Sequence, residues 1–275
     1  MNSAVKNARE LFAFYLDAGA DALIGEEPID RFADEVTQPA RPAAVRPSAP
    51  GLTRKATEGA IAGTAGQAAT AVPAAPETAI MAARDAAKSA QTLDELRVLL
   101  EAFEGCMLRT TATQLVFAAG NPQARVMFVG EAPGRDEDMS GIPFVGRSGR
   151  LLDHMMTAIG LDRTGAYIAN VVPWRPPGNR TPTPQETAIC LPFIRRQIEL
   201  ANPDILVCLG QPATQTLLGT REGITRTRGR WFKFDTGSRE IRAMATYHPA
   251  FLLRSPLQKR LAWRDFLALK KALAG

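Results

Sequence analysis

The stretch Arg125-Val-Met-Phe-Val-Gly-Glu-Ala-Pro-Gly134 decides the fold class, because the apolar run Val126 to Val129 breaks abruptly into a Gly/Pro turn. The same design recurs downstream. Tyr167-Ile-Ala-Asn-Val-Val172 stops at Pro173, Asp204-Ile-Leu-Val-Cys-Leu209 stops at Gly210, and Ile241 to Thr246 forms a fourth, weaker run. Helical patterns fill the intervals at Leu151 to Gly160, Pro184 to Ala201 and Gln211 to Leu218. Short apolar runs without alternation are the mark of strands buried on both faces. Their alternation with helices predicts an α/β fold with a buried, mostly parallel sheet and helices on each side. In such sheets ligands bind beyond the carboxyl ends of the strands, so the residues that follow each run carry the functional information.

Composition bounds the rest. The chain has 275 residues, 45% of them hydrophobic, with 33 Lys plus Arg against 28 Asp plus Glu and only 2 His. This is globular composition and room for one large domain with an appendage. No run of roughly 18 apolar residues is present, so no membrane span is expected. The start of the chain, broken by Lys6, Arg9, Glu10 and Asp17, does not read as a secretory signal. Three cysteines, Cys106, Cys190 and Cys208, form neither a C-x-x-C nor an even disulfide set, and a cytoplasmic setting is expected.

The net charge of +5 is unevenly spread. Residues 1–37 hold 3 basic and 8 acidic groups, whereas residues 219–275 hold 13 basic and 4 acidic. An acidic head thus masks a basic body, which suits a polyanion partner. Residues 1–37 read as an acidic helical appendage, available to a protein partner. Residues 38–76, rich in Ala, Pro, Gly and Thr, read as a flexible linker that buries too little apolar surface to offset its ordering entropy. Residues 77–275 form the body, opening with a helical stretch in which Thr92 to Glu95 makes a capping-box pattern.

The segments after the apolar runs are Gly130-Glu-Ala-Pro-Gly134 with Asp136-Glu-Asp138, then Asn170 leading to Arg175-Pro-Pro-Gly-Asn-Arg180, then Gly210-Gln211, and Tyr247-His-Pro249. They supply backbone N–H groups, carboxylates, one amide and one imidazole, the equipment of a polar pocket for a planar hydrogen-bonding ligand. GEAPGRDED, GIPFVGRSGRLLD, the RPPGNRTPTPQE stretch, ILVCLGQPA and YHPAFLLRSP, in this order and spacing, closely resemble the family 4 uracil-DNA glycosylases over about residues 91–275.

The resemblance implies a three-layer α/β/α sandwich around a mainly parallel four-stranded sheet, and a monofunctional glycosylase that flips deoxyuridine out of DNA and hydrolyses its N-glycosidic bond in base-excision repair. Glu131, His248 and Asn179 match catalytic positions: Glu131 at the sugar and attacking water, His248 as a donor to uracil O2, Asn179 as a second polar group. Phe144 matches the aromatic that stacks on uracil, Asn170 the amide that reads it, Ala132 a lining position, and Glu137 an acidic position near uracil C5. For DNA, the matched groups are Leu252 or Leu253 as the wedge that fills the vacated stack, with Arg254, Lys259, Arg260 and Ser148 on phosphates. His154 and Asp136 read as structural or solvated. Family members carry four cysteines on an iron-sulfur cluster. Here Phe103 and Trp174 stand where two of them belong, so no cluster and no metal are expected, with aromatic packing in their place. The resemblance further implies a monomer acting on uracil-containing DNA, single- or double-stranded, with turnover rather than a covalent adduct. A wider range of deaminated bases, and an idle DNA-binding or repair accessory protein, stay open as alternatives.

Overall fold

A computed structural model of the chain describes residues 76–274; the appendage and linker read into residues 1–75 lie outside them. The elements in chain order are α1 (Pro76–Ser89), α2 (Leu93–Ala102), α3 (Leu108–Thr111), β1 (Ala119–Gly120), β2 (Val126–Gly130), α4 (Arg135–Ser140), α5 (Arg147–Thr157), β3 (Tyr167–Asn170), a 3-10 turn (Pro177–Asn179), α6 (Pro184–Ala201), β4 (Ile205–Leu209), α7 (Gln211–Leu218), α8 (Ile224–Thr227), β5 (Trp231–Asp235), β6 (Glu240–Thr246), α9 (Pro249–Arg254), a second 3-10 turn (Pro256–Gln258) and α10 (Lys259–Ala274).

The four expected strands are the parallel centre of the sheet, and the sheet order is β1-β3-β2-β4-β6-β5. β2 pairs parallel with β3 on one side and β4 on the other, and β4 pairs parallel with β6. The chain therefore leaves β2 in one direction and returns across it to β4, which creates the switch point where a crevice opens at the strand ends. Two edge strands were not expected. β1 and β5 run antiparallel to β3 and β6, making the sheet six-stranded rather than four-stranded.

Alternation along the central strands divides the core into two layers. Met127, Val129, Leu206 and Cys208 face a cluster with α1, α2, α6 and α7, whereas Phe128, Ile205, Val207 and Leu209 face α5 and α10. Phe128 stacks on Phe266 of α10 at 6.0 Å between ring centres. The helices start where their side chains allow. Thr183 accepts from Glu186 N and Glu186 returns to Thr183 N at 2.7 Å, a capping box with Pro184 in the first turn of α6. Thr92 caps α2 through Glu95 N, but Glu95 reaches Gln91 N instead of the cap itself. The helical stretch that opens the body is two helices parted at Ala90–Thr92, the second starting at the Thr92 cap.

A buried ion pair fixes the exit of β6. Asp265 of α10, 2% exposed, accepts from Thr246 Oγ1 at 2.7 Å and from Arg228 Nε at 2.9 Å, and Arg228 also donates to Leu261 O at 2.6 Å. Burial pushes the Asp265 carboxyl up against the pull of Thr246 and Arg228, so its ionisation depends on both partners. Asp265→Ala strands the Arg228 guanidinium, and urea denaturation should show a loss of about 3–5 kcal/mol, the cost of orphaning a buried charge.

Candidate active site

The ends of the four parallel strands open into one cavity of about 560 Å³, lined by Glu131, Ala132, Phe144, Asn170, Asn179 and His248 among others. The β2–β3 register sets Gly130 opposite Asn170. A Cβ on Gly130 would stand 2.5 Å from Asn170 Oδ1 and 2.7 Å from the Phe144 ring, so only glycine lets the amide and the aromatic converge. Asn170 is 4% exposed, and its Oδ1 is buried without a partner.

Phe144 holds a left-handed backbone, φ 56°, which is costly for an aromatic residue. The loop around it is over-determined. Arg163 donates to the carbonyls of Pro143 and Phe144, and Glu137 accepts from Val145 N at 3.0 Å, Gly146 N at 2.9 Å and Gly134 N at 3.0 Å. Glu137 borders the cavity, and both its oxygens accept from backbone N–H groups, so it clamps the Phe144 loop to the start of α4. Asp138, to which the sequence assigned no role, is buried: at 3% exposure it accepts from Thr113 N and Oγ1 at 2.8 and 3.0 Å. Asp136 is exposed, as expected.

His248 caps α9, its Nδ1 accepting from Ala250 N at 3.1 Å. The acceptor role at Nδ1 leaves the ring proton on Nε2. Burial, with Arg254 adding repulsion, lowers the imidazole to about 4, so it is neutral at physiological pH. Its ring centre lies 5.5 Å from that of Phe144. Gly210, at φ 88°, gives His248 room, since a Cβ there would come within 2.9 Å of the His248 Cβ. His154 is exposed on α5, away from the cavity lining.

Glu131 follows β2, and its Oε1 is buried without a partner. Burial pushes its carboxyl up, and the Thr181 hydroxyl pulls it partly back. It also borders a second cavity of about 40 Å³ with Thr181, Thr187 and Thr216, room for a water or two. Asn179, exposed at the rim and left-handed at φ 56°, accepts from Arg175 Nε at 2.7 Å, which leaves its amide NH2 toward the opening.

Among the DNA-contact expectations, Ser148 sits in the first turn of α5 and Arg254 ends α9, both lining the cavity, while Lys259 and Arg260 are exposed at the start of α10. Leu252 is 0% exposed and packed with Tyr247 and Ala262. Leu253 is half-buried on the same helix. The helical phase that hides Leu252 could not be set from the sequence, because two adjacent leucines fit either face.

A family model described as the uracil DNA glycosylase superfamily matches residues 117–267. The chain belongs to that superfamily. Over 180 residues it is 39% identical to the type-4 uracil-DNA glycosylase of Archaeoglobus fulgidus, covering 64% of this chain and 90% of that one. The type-4 uracil-DNA glycosylase of Thermotoga maritima is 44% identical over 151 residues, covering 54% and 77%. That of Sulfurisphaera tokodaii is 37% identical over 185 residues, covering 66% and 84%.

Two thiols and the two aromatic residues expected in place of cluster ligands lie together in the core. Cys106 and Cys190 meet in the core with sulfurs 4.0 Å apart, but Trp174, 2% exposed, and Phe103 share their apolar cluster, and Phe103 packs edge-on against Phe193 at 5.0 Å. Aromatic rings cannot ligate iron. Cys208 lies within β4, its thiol pushed up to about 12 by burial. Among the described residues, no group of three or more His, Cys, Asp or Glu side chains is placed to hold a metal ion.

The clamp at Glu137 is directly testable. Glu137→Ala removes the acceptor of three backbone N–H groups and should cost about 1–3 kcal/mol for each that stays buried and unpaired. Hydrogen exchange should accelerate at Val145 and Gly146 before it does at β2.

Proposed function

We propose that this chain is a monofunctional uracil-DNA glycosylase that hydrolyses the N-glycosidic bond of deoxyuridine in DNA and leaves an abasic site for base-excision repair. One observation carries the reading: a buried, unpartnered Asn170 Oδ1 converges with the Phe144 ring and the neutral His248 in one cavity. Burying an unpaired acceptor costs about 1–3 kcal/mol, a cost that a ligand's N–H would offset. Uracil supplies it at N3, while Asn170 Nδ2 donates to O4. Cytosine offers an acceptor at N3 and a donor at the exocyclic amine, the reverse pattern. Phe144 stacks on the flipped base, and Ala132 lines its edge.

As the bond between N1 and C1′ breaks, its electron pair moves to the base and positive charge builds on the sugar. His248 Nε2–H donates to O2, where the negative charge grows. Keeping the imidazole neutral avoids the cost of burying an imidazolium. The Glu131 carboxylate faces the sugar, orients a water against C1′ and takes its proton, with the Asn179 amide beside it. Arg254, Lys259, Arg260 and Ser148 hold phosphates. No lysine sits among the matched motifs for lyase chemistry, and a monomer is expected. The basic body fits DNA of either strandedness, and three buried free thiols suit the cytoplasm. Residues 1–37 remain a candidate partner segment beside a catalytic body of residues 77–275.

Incubation with a uracil-containing oligonucleotide followed by alkali should give strand scission. His248→Ala should lower the single-turnover rate by about 10²–10³-fold, the usual cost of one such donor. Asn170→Ala should abolish discrimination along with most of the rate. Wild-type protein that binds duplex without cleaving it would favour the accessory alternative.

The pH profile separates the two titrating groups. His248, lowered to about 4, does not change charge between pH 5 and 8, so no step near 6.5 should arise from it. Glu131 acts as the anion, and its carboxyl is raised above 4.5, so the rate should fall with falling pH through a midpoint above 4.5. That limb should vanish in Glu131→Gln.

We further propose that the protein works without a cluster, with Phe103 and Trp174 packing in its place. Anaerobically purified protein should hold no stoichiometric iron and show no visible charge-transfer band; near-stoichiometric iron overturns this reading.

A further inference from the structure

β6 enters the pocket through Thr246, Tyr247 and His248, and one side chain outside the pocket bears on both residues that precede the imidazole. Arg228 follows α8, where its own N–H closes the helix on Ile224 O at 2.9 Å, and it is not part of the cavity lining. Its side chain is 14% exposed. Nε donates to Asp265 Oδ2 at 2.9 Å, and Nη2 donates to Asp265 Oδ1 and to Leu261 O, the latter at 2.6 Å. Asp265 passes that hold to Thr246, whose hydroxyl donates to it at 2.7 Å. The guanidinium carbon also lies 5.7 Å from the centre of the Tyr247 ring, within reach of a cation–π contact.

Tyr247 is confined from its other sides. It is 3% exposed, packs with Leu252 and Ala262, and its ring centre lies 4.9 Å from that of Phe251. Gly229 allows Asp265 to come close. At φ 72° its N–H donates to Ala245 O at 2.8 Å, and a Cβ there would stand 2.6 Å from Asp265 Oδ1. The segment that carries Arg228 is thereby laid alongside β6 at Ala245, and the grip covers three consecutive residues, Ala245 to Tyr247, immediately before His248.

The His248 ring has one anchor of its own, Nδ1 accepting from Ala250 N at 3.1 Å. A single hydrogen bond fixes one point of a ring and leaves its direction to the backbone that carries it. That direction matters, because a hydrogen bond weakens steeply once it bends below about 120°. We propose that Arg228 is a positioning residue: through the Tyr247 ring, and through Asp265 to Thr246, it aims the Nε2–H of His248 at the base oxygen that gains charge as the glycosidic bond breaks. This role rests on the glycosylase reading. A lysine in its place would keep the charge but lose the planar fork that holds Asp265, the Leu261 carbonyl and the ring together.

Single-turnover excision of uracil and of 5-fluorouracil from otherwise identical oligonucleotides tests it. The fluorinated base leaves as the more stable anion, so its departure depends less on a donor at O2. His248→Ala should therefore raise the ratio of the 5-fluorouracil rate to the uracil rate. Arg228→Lys should lower the uracil rate by about tenfold to a hundredfold, the scale of a misaimed group, and raise the same ratio while DNA affinity holds. In a His248→Ala background it should change either rate by less than about twofold, because residues that act through one another do not add. Tyr247→Leu, which leaves the Arg228–Asp265 pair in place, should raise the ratio in the same direction. Equal slowing on the two bases in Arg228→Lys overturns the proposal, as does an effect that persists in full without His248, or a lowered thermal midpoint with an unchanged ratio. If Arg228→Lys does not fold, Tyr247→Leu decides, and an unchanged ratio there overturns the proposal. Wild-type protein that releases neither base overturns the glycosylase reading itself, a result distinct from any effect at Arg228.

Discussion

The pocket depends on the parallel pairing of β2 with β3, which places a residue without a side chain, Gly130, directly opposite Asn170. Strand spacing in a sheet is close to 4.8 Å, and the space over Gly130 is where a ring and an amide meet. Because that pairing lies in the middle of the sheet, it is held by both core layers. Phe128 and Val129, the two residues before Gly130, face opposite layers and are 0% exposed. A shift of one residue would exchange the layers and bury Glu131 in the core, so the register is tightly specified.

Two carboxylates carry that rigidity outward to the loops. Glu137 holds the Phe144 loop through three backbone N–H groups, and Asp265 holds the end of β6 through Thr246, two residues before His248. Neither needs to touch a ligand. Both place the atoms that do, the aromatic ring on one wall and the imidazole on the other, and misplacement of about 1 Å at such a site can cost two orders of magnitude in rate.

The central strands and the residues that follow them were legible in the sequence because a strand buried on both faces has no alternation to obscure it and ends on Gly or Pro. The edges were not. β1 is two residues long, and Trp231-Phe-Lys-Phe-Asp235 alternates only weakly, with Trp231 and Phe232 half-buried and a cation between aromatics. Its hairpin turn, Thr236-Gly-Ser-Arg239 between two apolar stretches, is the one local signal for this edge. Asn170, Phe144 and His248 were found by motif, and all three meet in the cavity. Glu137 was found by the same route, but its hold on three backbone N–H groups was not, because a carboxylate that binds backbone across a loop looks in sequence like one that faces a ligand. The burial of Leu252 was not legible for a different reason: motif position does not set helical phase, and the phase alone decides which of two adjacent leucines is core.

Several local costs among the described residues are gathered at one place. The left-handed Phe144 and Asn179, the unpartnered oxygens of Glu131 and Asn170, and a histidine held neutral far below its ordinary range all lie beyond the carboxyl ends of the parallel strands. Each is unfavourable in the free protein by an amount that a well-packed sheet can sustain. Each has a complement that a ligand can supply. An unpaired acceptor awaits a donor, a buried carboxylate awaits positive charge, and a neutral imidazole offers one proton to an oxygen gaining negative charge. A ligand that carries N–H, a cationic sugar and a departing anion relieves all three together, and only as its glycosidic bond stretches does it present the last two. Under the proposed function the site is better matched to the breaking bond than to the intact nucleotide, which is the condition for catalysis as opposed to tight binding.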